Sequence, residues 1–144
     1  MEKAGSVLGG IIRAALAADD AIAAVYLFGS HARGTATKLS DVDIALLLDA
    51  VVDKSSYFPL RLEYTARMVD LLGSERVEVV VLNEVPLHLA YEIISRGTLL
   101  VERNRRYRTA FEADRIGRFL DFKPFLAAQF RAVKQQLRKG TFFD

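Results

Sequence analysis

Two carboxylates, Asp41 and Asp43, stand one residue apart at the head of the apolar run Ile44 to Leu48. In an extended strand residues two apart share a face, so both acids project together while Val42 and Ile44 turn the other way. Like charges at that separation repel, and a shared divalent cation relieves the repulsion. An oxygen-only donor set suits magnesium, which keeps waters and takes further ligands from phosphates. Upstream, Gly29-Ser30 closes an apolar run and opens a short helix whose free N–H groups favour an anion. Glycine lets a phosphate approach closely, Ser30 can add a hydroxyl donor, and Arg33 lies within one turn of the same end. A phosphate cradle on one strand end and a metal-binding pair on the next make a site for a nucleoside triphosphate held through its metal. Two-metal nucleotidyl transfer places one ion on the leaving oxygens and one on the attacking hydroxyl, so a third acid is needed. Glu78 is the candidate, a charge within the apolar strand "VEVVVL", where a buried carboxylate without a partner is costly.

The elements that position these residues can be read from periodicity. Val7, Leu8, Ile11, Ile12, Ala15 and Leu16 predict an amphipathic opening helix ending near Asp19, followed by a buried strand "AIAAVYLF". "GSHARGTATKLS" reads as a turn, a short helix and a loop, and "DVDIALLLD" as a second strand. Ser56 is the expected N-cap of a helix carrying Leu60, Tyr64, Met68 and Leu72 at four-residue spacing, stopped by Gly73 in a left-handed conformation. "RVEVVVLN" is a third strand, Pro86 to Arg96 a helix ended by Gly97, and "TLLVE" a fourth strand. Asn104 to Lys139 is helical, with a break expected at Asp121 to Pro124, because proline lacks the helix donor and clashes with the preceding turn. The fold class is α+β, a mixed sheet of about four strands flanked by helices with a C-terminal helical extension. The 144 residues form one domain, with a core over about 7–102 and C-terminal helices over about 104–139.

"GSHARG" and "SDVDIALLL", with ten residues between Gly29-Ser30 and Asp41-Val42-Asp43, resemble the signature of minimal nucleotidyltransferases of the DNA polymerase β superfamily. The similarity continues through "VEVVVLNEVP" to "FLDFKP" and so covers most of the chain. The resemblance implies a polymerase β-like nucleotidyltransferase core that uses magnesium, with two ions during turnover, and ATP as substrate. It assigns phosphate holding to Gly29 and Ser30, and metal binding to Asp41 and Asp43. The family's third acid falls on Glu78, a position more often aspartate, and the extra methylene moves the carboxylate by more than about an ångström. Members this short resemble the antitoxin half of HEPN/MNT toxin–antitoxin pairs, which adenylylate a tyrosine hydroxyl on the partner ribonuclease. The resemblance thus implies an adenylyltransferase with a HEPN-type toxin as partner. Neutralisation by complex formation without catalysis, or nucleotidyl transfer to a small molecule, are the alternatives.

Composition narrows the rest. Cysteine is absent, which excludes disulfides and thiolate zinc sites, and two histidines, His31 and His88, are too few for most histidine metal sites. A formal charge of +2 gives no electrostatic footprint for direct nucleic-acid binding. No signal peptide or membrane-spanning run is read, and the expectation is a cytoplasmic protein. His31 reads as a solvated turn residue and His88 as a helix-surface or packing residue. Arg33 and Lys38 could neutralise triphosphate charge, whereas "ERNRRYR", Glu102 to Arg108, reads as a solvated helix start. In the last helix Leu126, Phe130, Val133 and Leu137 form a narrow seam, with Arg131, Lys134 and Arg138 on another face. Two readings stand for that seam: packing on the chain's own core, or docking onto a partner or a second copy in a homo-oligomer.

Overall fold

The computed structural model describes residues 4–36 and 41–139; Lys38 and the side chain of Arg33 lie outside what is described. Four strands form one mixed sheet in the order β3-β2-β1-β4. The runs richest in apolar and β-branched residues supply it: β1 (Ile22–Phe28), β2 (Val42–Leu48), β3 (Val77–Val81) and β4 (Thr98–Glu102). β1 lies antiparallel to both β2 and β4, and β2 lies parallel to β3. The two central strands are apolar on both faces because helices cover both, which explains their near-continuous hydrophobic runs.

α1 (Ala4–Leu16) and α3 (Tyr57–Leu72) lie on one face. There Ile12, Leu16, Tyr64 and Met68 pack on Val25, Leu27, Val42, Ile44 and Leu46. α4 (Leu87–Arg96) and the start of α5 (Arg105–Lys139) lie on the other. On that side Ala90, Ile93 and Phe111 meet Ala24, Tyr26, Ala45 and Leu47. Alternation along β2 therefore sends Val42 and Ile44 towards α1 and α3, and Asp43, Ala45 and Leu47 towards the opposite face.

Hydrogen bonds tie the layers. The Tyr64 hydroxyl donates to Asp19 at 2.7 Å, linking α3 to the turn after α1. The Tyr26 hydroxyl donates to Glu112 at 2.5 Å, linking α5 to the sheet. Asn83 accepts from the Leu48 amide at 2.8 Å and donates to the Leu48 carbonyl at 3.0 Å, holding the end of β2.

Three local expectations are corrected. α1 ends at Leu16 rather than near Asp19, whose carboxylate instead accepts from the Ala21 amide and the Tyr64 hydroxyl. Ser56 makes no side-chain cap for α3; Asp53 caps the 3-10 turn Lys54–Ser56 that leads into it, accepting from the Ser55 amide. The expected break at Asp121 to Pro124 is absent, and α5 runs unbroken for 35 residues with Pro124 inside. Proline removes a single helix hydrogen bond, and the helix formers that follow it, Leu126, Ala127, Ala128 and Gln129, carry the helix on. Gly73 ends α3 in the left-handed conformation expected of it, at φ 64°.

Candidate functional site

β1 and β2 run antiparallel, which brings the C-terminal end of one beside the N-terminal end of the other. Phe28, the last residue of β1, pairs with Asp43 near the start of β2. The next residue, Gly29, has φ 72° and ψ −151°, a conformation essentially restricted to glycine. It turns the chain into the four-residue helix α2 (Ser30–Arg33), closed by Gly34 at φ 73°, whose N–H donates to the Ser30 carbonyl. A Cβ added to Gly29 would collide with Oδ2 of Asp43. Glycine is thus required twice over, for its backbone conformation and for the approach of the carboxylate. The glycine turn and Asp43 are in contact.

Asp41 is exposed, directly before β2, and Asp43 is half-buried. The Val42 amide donates to the Arg76 carbonyl at 2.8 Å, fixing the segment between the two acids against the beginning of β3. On the other side of β2, Asp43 pairs with Glu78 in the parallel register, so the two side chains share a face. Glu78 is exposed on an edge strand, and the cost of burying a charge that singled it out does not apply; the register with Asp43 places it. Among the described residues no three acids or histidines stand together as a ready-made metal cage. The arrangement is two acids at the mouth of a glycine turn with a third on the neighbouring strand. Such a set leaves coordination positions for phosphate oxygens and water, the ligands magnesium prefers.

α4, on the face that Asp43 shares, ends close to the site. α4 stops at Arg96, and Gly97 lies against the Leu27 carbonyl, where a Cβ would sit 3.2 Å from that oxygen. One residue further along β1, Phe28 is partly buried against the cluster on that face and pairs with the half-buried Asp43. His31, read as solvated, is partly buried, and its Nε2 is enclosed without a hydrogen-bond partner. No pattern in the sequence signals that enclosure. His88 sits on α4 beside a groove of about 330 Å³ between α4 and α5, away from the acids.

Two cations of the basic run after β4 form ion pairs. Arg103 pairs with Asp20 at 3.0 Å, and Arg108 bridges Glu102 at 2.6 Å and Glu112 at 2.9 Å. The Arg108 pairs tie α5 to the end of β4, and the Arg103 pair ties the residue after β4 to the turn after α1.

Comparison with known proteins bears on the fold and the family. The family model "Polymerase beta, Nucleotidyltransferase" matches residues 11–106. A chain from the crystal structure of a toxin–antitoxin with AMP-PNP superposes with a TM-score of 0.67 at 22% identity, covering 92% of this chain and 99% of that one. A chain from a complex of a tri-AMPylated Shewanella oneidensis HEPN toxin with MNT antitoxin gives a TM-score of 0.61 at 20% identity, with 90% and 95% covered. A chain of the toxin–antitoxin MntA-HepT gives 0.61 at 20% identity, with 90% and 96% covered. At these identities the likeness is one of fold. No curated protein matches the sequence.

Proposed function

The chain belongs to the polymerase β nucleotidyltransferase family, and on that premise we propose that it transfers AMP from ATP to a hydroxyl of a partner protein. The observation that carries the reading is the contact between Gly29 and Asp43, which joins an anion-accepting turn to a carboxylate in one constrained unit. Asp41 and Asp43 would hold magnesium; their oxygen-only donor set fits it, and when bound it neutralises charge on the triphosphate. Gly29 turns the chain and admits the Asp43 carboxylate, while the Ser30 hydroxyl and the amides of α2 would donate to phosphate oxygens. Arg33 adds a cation in the same turn. The acceptor oxygen bonds to the α-phosphorus, the bond to the outer two phosphates breaks, and pyrophosphate leaves. Glu78, on the face shared with Asp43, takes the acceptor's proton or serves a second ion.

The fold shared with chains crystallised beside HEPN toxins supports a HEPN-type toxin as the partner, and the family resemblance points to a tyrosine hydroxyl as the acceptor. The test is the intact mass of a purified HEPN-type protein after incubation with this chain and magnesium-ATP. A gain in whole adenylyl units is expected. With Asp41→Asn/Asp43→Asn the rate should fall by roughly a thousandfold or more, because several kcal/mol of charge stabilisation are lost. Wild-type rates from that variant would remove the proposed metal site. A second reading, neutralisation by binding alone, is favoured by the exposure of Glu78. In that case the double variant would still silence the toxin's ribonuclease activity and no mass would be gained by either form.

A further inference from the structure

α5 is anchored only over its first half. Phe111 is buried in the core and Phe119 stacks on Tyr91 of α4 with ring centroids 4.1 Å apart. At about 100° per residue, Phe119 lies on the same stripe as Phe122, Leu126, Phe130, Val133 and Leu137, a band about 80° wide. The stripe that packs on the body therefore continues for roughly 27 Å beyond its last packed ring. Among the described residues most of it is uncovered: Phe130 is 74% exposed, Leu137 54% and Phe122 43%, with Leu126 half-buried. Packing on the chain's own core, one of the two readings of this seam, is thereby set aside.

Charge selects between the remaining occupants. From Phe122 to Lys139 the helix carries five cations, Lys123, Arg131, Lys134, Arg138 and Lys139, and no acid. Four of them, Lys123, Lys134, Arg138 and Arg131, fall on one flank of the stripe at helical spacing. A second copy brings the same five cations and no acid to answer them, so self-association through the seam gathers like charge. A partner with carboxylates beside an apolar groove answers both features. The steps of four and three are those of a seam that receives another helix, narrower than the broad apolar face of a helix lying in a lipid interface.

We propose that this seam docks the partner protein, through an apolar helical groove flanked on one side by acidic residues. The assignment rests on the proposed function in taking a HEPN-type protein as that partner. It separates holding the partner from modifying it, because the seam and the Asp41/Asp43 site share no residue.

The experiment is calorimetric titration of the full chain with the purified HEPN-type protein. Phe130→Glu/Leu137→Glu should weaken binding at least a hundredfold, since apolar anchors carry most interface energy. Lys134→Glu/Arg138→Glu should weaken it about tenfold and reduce its salt dependence. Both should keep the wild-type melting temperature and its rise with magnesium-ATP, and Asp41→Asn/Asp43→Asn should bind the partner as the wild type does. Undiminished binding by Phe130→Glu/Leu137→Glu, with adenylyl transfer intact, overturns the seam alone. A wild-type dimer or binding to phosphatidylserine vesicles, abolished by that variant while partner binding is unchanged, overturns the assigned occupant. Absence of both binding and transfer by the wild type overturns the proposed function and the seam with it.

Discussion

Gly29 is the residue on which the site's geometry turns. With φ 72° and ψ −151°, it occupies a region that costs a residue bearing a side chain about 1–3 kcal/mol, and its missing Cβ is where Asp43 places an oxygen. Gly29→Ala should therefore destabilise the chain by about that amount and displace the carboxylate, so that magnesium-ATP no longer raises the melting temperature. Gly34→Ala is the control: its φ is 73° but nothing lies within 4 Å of an added Cβ. That variant should lose about 1 kcal/mol and keep the nucleotide-induced shift. Thermal melts with and without magnesium-ATP decide it, and a full shift in Gly29→Ala would detach the glycine from nucleotide binding. The types and spacing of Gly29, Ser30, Asp41 and Asp43 were readable because they lie close together in the sequence, on one turn and the start of one strand. Glu78 was found for a reason that did not hold, burial, whereas its real placement comes from the register of β2 with β3. A register between strands far apart in sequence leaves no local mark in either strand.

At the level of elements, strands announced themselves because a sheet covered on both faces needs unbroken apolar runs, and α3 and α4 were bounded by glycines that stop them. α5 was misread because the proline rule weighs one lost hydrogen bond and one clash, and not the helix formers on both sides. Pro124 should still be the weak point of that helix, since proline is about 3 kcal/mol worse than alanine in a helix interior. Pro124→Ala should slow amide exchange beyond Leu120 by roughly tenfold or more while the global melting temperature moves little, because that half packs on nothing among the described residues. Native-state hydrogen exchange measures this, and unchanged exchange would show that the proline does not limit the segment.

Across the whole molecule, two phenols hold helices to opposite sides of the sheet: Tyr64 bonds Asp19 and Tyr26 bonds Glu112. Burial, reinforced by those carboxylates, pushes both hydroxyls above the ordinary tyrosine value of 10.0. A group whose pKa is raised on folding contributes stability that is complete below its unfolded pKa and is lost as pH rises towards the folded one. The chain should thus hold its stability up to about pH 10 and lose it progressively above, and Tyr26→Phe/Tyr64→Phe should flatten that decline. The variant should cost about 1 kcal/mol per hydrogen bond at neutral pH. Denaturant melts at pH 8, 10 and 11 test the slope, and an equal decline in both proteins would assign it elsewhere.

The unbroken course of α5 has a kinetic and entropic consequence. An isolated segment as short as Phe122 to Lys139 would be a marginal helix in water, because the first turn is costly to nucleate. Here the nucleus is supplied by the half bound to the sheet, and the exposed half only propagates it. A protein arriving at the seam meets a surface already ordered, so association proceeds without a folding step and without the entropy loss that coupled folding imposes.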